Sequence, residues 1–263
     1  MSVALITGGS RGLGRALAQA LAERRWQLVI DARGGPALQA AAEELSSHTT
    51  VRAIQGDVSD AGHRRALLDA ATELGGLDLL VNNASLLGPS PQPELADYPL
   101  DVLRRVYEVN VLGPLALIQQ CLPAVTTSRG RIVNITSDAA VEAYAGWGGY
   151  GSSKAALEAI TRILIEEQPG VRIYVADPGD LRTQMHQEAF PGEDISDRPL
   201  PEVAVPGLLA LAEGSWPSGR YRLQELGSWP AAGLEPDTVG AADGNGMNGA
   251  TGGQPQPAGH PVA

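Results

Sequence analysis

The chain has 263 residues, and its 19 Lys and Arg against 30 Asp and Glu give a formal net charge of −11. A chain of this length buries roughly three-quarters of its unfolded surface, so a core forms without disulfides. The single cysteine, Cys121, excludes an internal disulfide. Because an acidic chain has no general attraction to phosphate backbones or anionic lipid, we expect neither nucleic-acid nor membrane partners.

The N-terminus shows no targeting signal. Its apolar run, Val3–Ile6, is too short for a signal-peptide core and has no basic stretch before it. No stretch is expected to reach the ~20 apolar residues that a membrane span needs. We therefore expect a cytoplasmic protein.

Short apolar runs alternate with longer amphipathic ones, which is typical of strand–helix units on a parallel sheet. Strands are predicted at Val3–Ile6, Gln27–Ile30, Val51–Ile54, Leu77–Val81, Arg131–Ile135 and Val171–Val175, with a last short one near Tyr221–Leu226. Helices are predicted at Gly12–Arg25, Pro36–Ser46, Ala61–Leu74, Leu100–Val125, Tyr150–Glu167 and Glu202–Glu213. This order predicts an α/β fold: a doubly wound parallel sheet in a Rossmann-type three-layer α/β/α sandwich.

Residues 1–227 are predicted to form a single domain, with a lid at about residues 181–200. The remaining residues, 228–263, differ in composition, because 8 of these 36 are Gly and 5 are Pro. Their few apolar residues show no period and cannot offset the entropy of ordering. We predict that this tail is disordered.

A glycine-rich turn lies between the first predicted strand and the first helix. It reads Thr7-Gly8-Gly9-Ser10-Arg11-Gly12-Leu13-Gly14. Gly8 permits a tight turn, Gly12 lets backbone amides approach a pyrophosphate, and Gly14 lets the helix pack close to the sheet. The helix N-terminus adds oriented N–H groups for an anion. We predict a dinucleotide site whose ligands include Thr7, Gly8, Ser10, Arg11, Gly12, Leu13 and Gly14.

The end of the second strand bears on which dinucleotide binds. Asp31 could accept from the ribose hydroxyls of NAD, whereas Arg33 could pair with the extra phosphate of NADP. Arg11 adds a second guanidinium nearby, and two guanidiniums can clamp a phosphate. NADP(H) is therefore favoured over NAD(H), and an NAD-dependent dehydrogenase that uses Asp31 stays open.

Asp57 and Val58 follow the third strand, where a carboxylate can accept from an adenine amino group. The alternative is that Asp57 caps the next helix. Ser59 or Asp60 suits that capping role better.

Tyr150 and Lys154 are four residues apart on a predicted helix, so both lie on one face. A nearby ammonium favours phenolate, and we expect Lys154 to lower the Tyr150 pKa from its reference value of about 10. Ser137 follows the strand Arg131–Ile135, which places a hydroxyl at the same sheet edge. The three residues predict a proton-transfer site.

Together these residues resemble the short-chain dehydrogenase/reductase family, in its compact single-domain branch. The matching segments, in order, are Thr7–Gly14, Asp57-Val58, Asn82-Asn83-Ala84, Asn110, Ser137, Tyr150-x-x-x-Lys154, and Pro178-Gly179 followed by Thr183. They cover about residues 3–185. The resemblance implies an oxidoreductase that transfers a hydride between NADP(H) and a carbonyl or secondary alcohol.

The resemblance also implies the role of each catalytic residue. Tyr150 is the general acid in reduction and the base in oxidation, Lys154 holds the nicotinamide ribose, and Ser137 stabilises the substrate oxygen. Asn110 holds a water that connects Lys154 to solvent. The implied cofactor contacts beyond the glycine turn are Asp31, Arg33, Asp57, Val58, Asn83, Ala84, Tyr150, Lys154, Pro178, Gly179 and Thr183. Asn82 would support the sheet edge.

The sequence departs from the family pattern at two of these segments. Ser85 stands where the family usually has Gly after Asn-Asn-Ala, and Asp177 is an unusual acidic neighbour of Pro178-Gly179. By resemblance we expect a homodimer through helices 100–125 and 150–167. The altered C-terminus puts a tetramer in doubt.

The histidines show no metal-ligand spacing, so no metal site is expected. His48 and His63 fit exposed positions, and His186 is predicted to be a solvated lid residue. The family layout places a set of apolar and aromatic side chains around the substrate: Leu86, Leu87, Tyr144, Trp147, Met185 and Phe190. This pocket would suit a ketone or secondary alcohol of modest size. The same side chains could instead simply pack the lid onto the sheet.

A non-catalytic dinucleotide sensor or scaffold remains as a hypothesis from another class of protein. Such a protein needs the glycine turn but no proton-transfer group. The joint presence of Asn110, Ser137, Tyr150 and Lys154 favours the enzyme.

Overall fold

The computed structural model describes residues 1–226, so the predicted disordered tail lies outside the described residues. The strands are β1 Val3–Ile6, β2 Gln27–Ala32, β3 Val51–Gln55, β4 Leu79–Asn82, β5 Arg131–Ile135, β6 Arg172–Asp177 and β7 Gly219–Arg222. The helices are α1 Gly12–Glu23, α2 Gly35–Leu45, α3 Ala61–Glu73, α4 Leu100–Tyr107, α5 Gly113–Ser128, α6 Gly148–Glu167, α7 Gln184–Ala189, α8 Val205–Glu213 and α9 Leu223–Leu226.

The strands form one parallel sheet in the order β3-β2-β1-β4-β5-β6-β7. The chain order reverses between β1 and β4. In doubly wound sheets this reversal opens a crevice at the carboxyl ends of the strands, where ligands bind. The predicted fold class is confirmed.

Both faces of the sheet are buried under helices. In β1, Ala4 and Ile6 pack in one apolar cluster with α1, α2 and α8, whereas Val3 and Leu5 pack in a second cluster with α3 and α5. This alternation follows from the two-residue period of a strand. A strand covered on both sides reads as a continuous apolar run, which is why its sequence signal is clear.

The predicted long helix over residues 100–125 is interrupted. A wider π-type turn, Glu108–Leu112, separates α4 from α5 and carries Asn110. Such turns break the regular hydrogen-bond ladder and re-aim side chains. The predicted last strand was also displaced, because β7 ends at Arg222 and α9 follows it.

By length and composition, the continuous helical stretch Leu100–Ser128 could cross a membrane, contrary to the expectation from the sequence. Half of its most apolar window is buried inside the fold. Leu117, Ile118, Cys121 and Val125 of this stretch pack against the sheet. The stretch is therefore a core helix of this fold.

Burial raises the pKa of the Cys121 thiol to about 12, so this cysteine is an unreactive packing residue.

Candidate active site

A cleft of about 920 Å³ lies at the carboxyl ends of the strands, where the sheet order reverses. The predicted site residues that line it are Gly8, Ser10, Arg11, Gly12, Leu13, Asp31, Arg33, Asp57, Val58, Asn83, Ala84, Ser137, Tyr150, Lys154, Pro178, Gly179 and Thr183. Thr7, Gly14 and Asn110 are not among the lining residues. The fold thus brings both predicted groups, for cofactor binding and for proton transfer, to one cleft.

The glycine turn adopts the conformation that its residues predict. Gly8 and Gly12 have φ angles of +69° and +56°, a region that side-chain-bearing residues rarely adopt. Among residues 1–226, no side chain caps the N-terminus of α1, and the first turn of this helix has no acidic residue. The first N–H groups of this helix are therefore left for an anion.

Gly14 lies beneath the turn. A Cβ at this position would lie 2.4 Å from the Gly8 carbonyl oxygen and 2.5 Å from Nδ2 of Asn83. We expect Gly14→Ala to lower the free energy of unfolding by about 1–3 kcal/mol, because a backbone atom must move to make room. Gly170→Ala is the matched control, since a Cβ there meets nothing within 4 Å. Urea unfolding of both variants checks this, and equal stabilities would contradict the close packing at Gly14.

Thr7 and Asn83 join the glycine turn to the end of β4. Thr7 Oγ1 accepts hydrogen bonds from the Asn83 and Ala84 N–H groups, both at 3.0 Å. The Asn83 side chain donates to the Thr7 and Gly8 carbonyls at 2.8 and 3.2 Å. These contacts join the glycine turn to the loop after β4, and of the two residues only Asn83 also lines the cleft.

Asp31 is buried and both of its carboxylate oxygens have partners. Oδ1 accepts from the Gly8 N–H at 2.7 Å, and Oδ2 lies 2.8 Å from His63 Nε2. The prediction that His63 is exposed was therefore wrong. A Cβ on Gly56 would lie 2.2 Å from the His63 ring, so Gly56 makes room for it. A lone histidine within a helix carries no sequence signal for this contact.

Asp57 is held by protein partners as well. Its Oδ1 accepts from the Ser59 N–H and hydroxyl at 2.9 and 2.7 Å, and Oδ2 pairs with Arg105. Burial raises the pKa of Asp57, but the Ser59 hydrogen bonds and the charges of Arg105 and Arg33 outweigh it and lower the pKa below its ordinary value. Asp60 caps α3 by accepting from the His63 N–H at 2.7 Å, as its position in the sequence predicts.

Arg33 is exposed at the rim of the cleft. Within residues 1–226, its guanidinium has no hydrogen bond or ion pair. The Arg11 guanidinium instead donates to Gln184 of α7. These residues, with the uncapped helix and the turn glycines, fit a phosphate-bearing dinucleotide.

At the other end of the cleft, Ser137, Tyr150 and Lys154 converge. Lys154 Nζ lies 5.6 Å from the centroid of the Tyr150 ring and donates to the Ile135 carbonyl at 2.9 Å. The Ser85 and Ser137 hydroxyls line the cleft with the Tyr150 phenol and lower its pKa. The Ser137 hydroxyl also donates to Asp138 Oδ1 at 2.8 Å. A substrate oxygen placed here would meet hydroxyl donors from more than one direction.

The pKa of Tyr150 is raised, not lowered as the sequence predicts. Burial is the main cause, and the negative charges of Asp138 and Asp177 add to it, whereas the Ser85 and Ser137 hydrogen bonds oppose it. Burial also lowers the pKa of Lys154 to about 8, although the Glu158 carboxylate partly restores it. Tyr150 is therefore a protonated phenol near neutral pH.

Asn110 lies behind Tyr150 and is completely buried. Its Oδ1 accepts from the Leu86 N–H at 2.7 Å and from Ser85 Oγ at 3.2 Å. Its Nδ2 donates to the Leu86 carbonyl at 2.8 Å and to Ser153 Oγ at 3.0 Å. These contacts use the full hydrogen-bonding capacity of the amide. The side chain thus fixes the loop at Ser85 and Leu86, and any water held by Asn110 would have to bind its main chain.

A buried charge network supports the same sheet edge. Arg220 of β7 lies 3.1 Å from Glu158 Oε1 and 2.9 Å from Asp177 Oδ2. Asp177 Oδ1 accepts from the Gly179 N–H at 3.0 Å, and Thr136 Oγ1 donates to Glu158 at 2.7 Å. Asp177 stands out in the sequence as an unusual acidic residue, but its partner could not be predicted, because Arg220 lies more than forty residues further along the chain.

Asn82 acts within the sheet, as the resemblance implies. Its Nδ2 donates to Asn134 Oδ1 at 2.8 Å, and Asn134 in turn donates to Thr161 of α6 at 2.9 Å. This chain of amides ties β4 and β5 to the helix that carries Tyr150.

The lid packs over the proton-transfer end. Phe190 stacks at 5.8 Å from Trp147, which lies 6.0 Å from Tyr150. His186 was predicted to be solvated, but only 11% of its side chain is exposed, and its ring packs 5.0 Å from Phe190. Leu86, Leu87, Trp147 and Met185 line the cleft as expected. Tyr144 is not among the lining residues and instead donates to Asp138 and Glu142.

Comparison with known proteins agrees with this geometry. The sequence profile of the short chain dehydrogenase family matches residues 2–194. A rhamnolipids biosynthesis 3-oxoacyl-[acyl-carrier-protein] reductase from Pseudomonas aeruginosa is 37% identical over 196 residues, which cover 70% of this chain and 74% of that protein. An L-fucose dehydrogenase from Mus musculus is 34% identical over 71% of this chain and 67% of its own length.

Solved structures show the same likeness. A short chain dehydrogenase from Pseudomonas syringae superimposes with a TM-score of 0.79 at 29% identity, over 85% of this chain and 94% of that one. A short chain dehydrogenase from Shigella flexneri, complexed with NADP, gives a TM-score of 0.77 at 26% identity, over 85% and 97% of the two chains. The chain belongs to the short-chain dehydrogenase/reductase family and is an oxidoreductase that acts on C=O or CH–OH groups.

Proposed function

We propose that the protein is an NADP(H)-preferring carbonyl reductase or alcohol dehydrogenase. One observation carries the proposal: Ser137, Tyr150 and Lys154 meet at one end of the cleft, and the glycine turn and Arg33 line its other end. A sensor or scaffold would need only the cofactor end.

When bound, the nicotinamide supplies or accepts the hydride. Tyr150 gives its proton to the carbonyl oxygen during reduction, and its raised pKa keeps the phenol protonated before the reaction. The Lys154 ammonium, 5.6 Å from the ring, offsets the negative charge that Tyr150 acquires. Ser137 donates to the same oxygen after its hydroxyl turns away from Asp138.

The contacts of Asp31 support NADP(H) over NAD(H). A carboxylate that binds ribose hydroxyls must have free acceptor positions facing them. Asp31 is 1% exposed, and its oxygens already accept from Gly8 and face His63. Arg33 is exposed on the cleft and forms no ion pair among residues 1–226, although its charge acts on Asp57, and an exposed guanidinium here suits the extra phosphate of NADP.

We expect Arg33→Ala to weaken NADPH binding by about 10- to 100-fold, because a hydrogen bond to a charged group contributes about 1.5–3 kcal/mol. Binding of NADH should change little. Titration calorimetry with both cofactors measures this. Arg52→Ala, an exposed arginine on β3 outside the cleft, is the matched control for net charge. Equal losses for NADPH and NADH in the Arg33 variant would contradict the phosphate contact.

The walls near Tyr150 favour an apolar or aromatic carbonyl compound of modest size. Leu87, Trp147, Met185 and Ala189 pack around the phenol and leave the hydroxyls as the polar groups at its tip. We also propose a homodimer through α4–α5 and α6, where Leu112 and Ile163 are more than half exposed.

Turnover tests the proposal. NADPH and, separately, NADH are offered with a panel of ketones and aldehydes, and loss of reduced-nicotinamide absorbance is followed. The proposal predicts substrate-dependent oxidation that is faster with NADPH. Tight cofactor binding without turnover, in both the reductive and oxidative directions, would support the sensor instead.

A further inference from the structure

Ser85 stands between Tyr150 and Asn110. It follows the Asn82-Asn83-Ala84 segment at the end of β4, at the position where the family resemblance expects glycine. Its hydroxyl donates to Asn110 Oδ1 at 3.2 Å. Ser85 also lines the same cleft as Tyr150, and its hydroxyl lowers the pKa of the Tyr150 phenol. A glycine could make neither contact, so this chain carries a hydroxyl at the reacting centre that the family pattern lacks.

The loop that carries Ser85 is fixed in place. The buried Asn110 amide accepts from the Leu86 N–H at 2.7 Å and donates to the Leu86 carbonyl at 2.8 Å. Both contacts are to the residue next to Ser85. The backbone beside Ser85 is therefore held against the buried Asn110, so little further ordering of this loop is needed.

Asn110 Oδ1 tolerates the loss of the Ser85 bond. It keeps the shorter bond from Leu86 when the Ser85 hydroxyl rotates, so no buried acceptor is left without a partner. Ser137 is placed differently, because its hydroxyl donates to the Asp138 carboxylate at 2.8 Å. Of the two hydroxyls that touch Tyr150, the one on Ser85 turns at the smaller cost.

We propose that Ser85 is a positioning residue whose hydroxyl donates to Asn110 while Tyr150 is protonated and donates to the phenolate oxygen once the Tyr150 proton has passed to the substrate. This inference rests on the proposed role of Tyr150 as the general acid. The Ser85 proton stays on Ser85 throughout, and only its direction changes from Asn110 to Tyr150.

The charges around Tyr150 show why such a donor matters. Asp138, after β5, and Asp177, at the end of β6, both disfavour a phenolate, as does burial. The Lys154 ammonium on α6 favours the phenolate. It also donates to the Ile135 carbonyl and interacts with the Glu158 carboxylate. A neutral hydroxyl stabilises the phenolate without adding charge to the pocket.

The test replaces Tyr150 with a difluorinated tyrosine, whose more acidic phenol ionises in a pH range where the protein stays folded. The ¹⁹F resonance is then titrated in the Ser85→Ala and Ser152→Ala backgrounds. Ser152 is an exposed serine on α6 that donates to the Gly149 carbonyl. We expect Ser85→Ala to raise the titration midpoint by about one pH unit and Ser152→Ala to leave it unchanged. Equal midpoints in both backgrounds would overturn the inference.

Ser85→Thr distinguishes hydrogen bonding by the hydroxyl from simple packing of the side chain. Threonine restores the donor, so the titration midpoint should return toward that of the parent protein. If Ser85→Thr is as stable to unfolding as Ser85→Ala but its titration midpoint stays raised, the role of the hydroxyl is contradicted. In turnover, Ser85→Ala should lower kcat about 10-fold with cofactor affinity and KM unchanged. The titration needs no turnover, so a shifted midpoint in a protein that reduces no carbonyl would refute the proposed function and leave the Ser85 contact standing.

Discussion

Replacing Tyr150 with Phe will lower turnover by about 10²- to 10⁴-fold, the contribution of a positioned general acid, and will leave cofactor affinity nearly unchanged. The substitution removes only the phenolic oxygen. The ring keeps its packing against Trp147, whose centroid lies 6.0 Å away, and the cofactor end of the cleft is untouched. Steady-state kinetics, with cofactor binding measured in parallel, checks both parts of this result.

Tyr144→Phe provides the matched control. Tyr144 lies six residues before Tyr150 and its hydroxyl donates to Asp138 and Glu142, but the residue does not line the cleft. Its loss should change turnover by less than about threefold. If Tyr150→Phe also kept its activity within that range, another group would have to supply the proton.

Replacing Arg220 with Met will lower the free energy of unfolding by about 3–5 kcal/mol, because it leaves Glu158 and Asp177 buried without their shared cation. The side chains of these acids are 3% and 5% exposed, and the guanidinium lies within 3.1 Å of both. Lys at this position should recover part of the loss, since one ammonium cannot fork to two carboxylates. Urea denaturation measures the differences.

Arg162→Met isolates the effect of burial. Arg162 also faces Glu158, at 3.8 Å, but its side chain is 67% exposed. An exposed pair of this kind contributes about 0–1 kcal/mol. Similar losses for the Arg162 and Arg220 variants would show that the network is not what stabilises this sheet edge.

The sheet could be predicted from the sequence because its strands are buried on both faces and bounded by turn residues. The first six strands, β1 to β6, lie within a residue or two of their predicted limits. The break between α4 and α5 could not be predicted, because the apolar pattern continues through the π-type turn Glu108–Leu112.

The candidate site also has a part that could be predicted from the sequence and a part that could not. The glycine turn and the Tyr150–Lys154 pair could be predicted, because their residues are only a few positions apart in the sequence. The partner of Asp31 does not, since His63 comes from a different strand–helix unit and meets the carboxylate only after the sheet forms. The same holds for Arg220 and Asp177, and for the Ser85 hydroxyl at Tyr150.

The pKa of Tyr150 shows a limit of pairwise reasoning. The helical spacing correctly places an ammonium near the phenol. Burial and two carboxylates nevertheless decide the sign of the shift, and they come from the loop after β5 and the end of β6. A shift that sums several long-range contributions cannot be deduced from two residues on one helix.

Transfer of deuterium tests the central claim most directly. The protein is incubated with NADPH that carries deuterium at the transferred position of the nicotinamide, together with a ketone that it turns over, and the alcohol is analysed by mass spectrometry. We expect deuterium on the carbinol carbon with the wild type and little product with Tyr150→Phe. Alcohol without deuterium, or formed equally well by the Tyr150 variant, would contradict it.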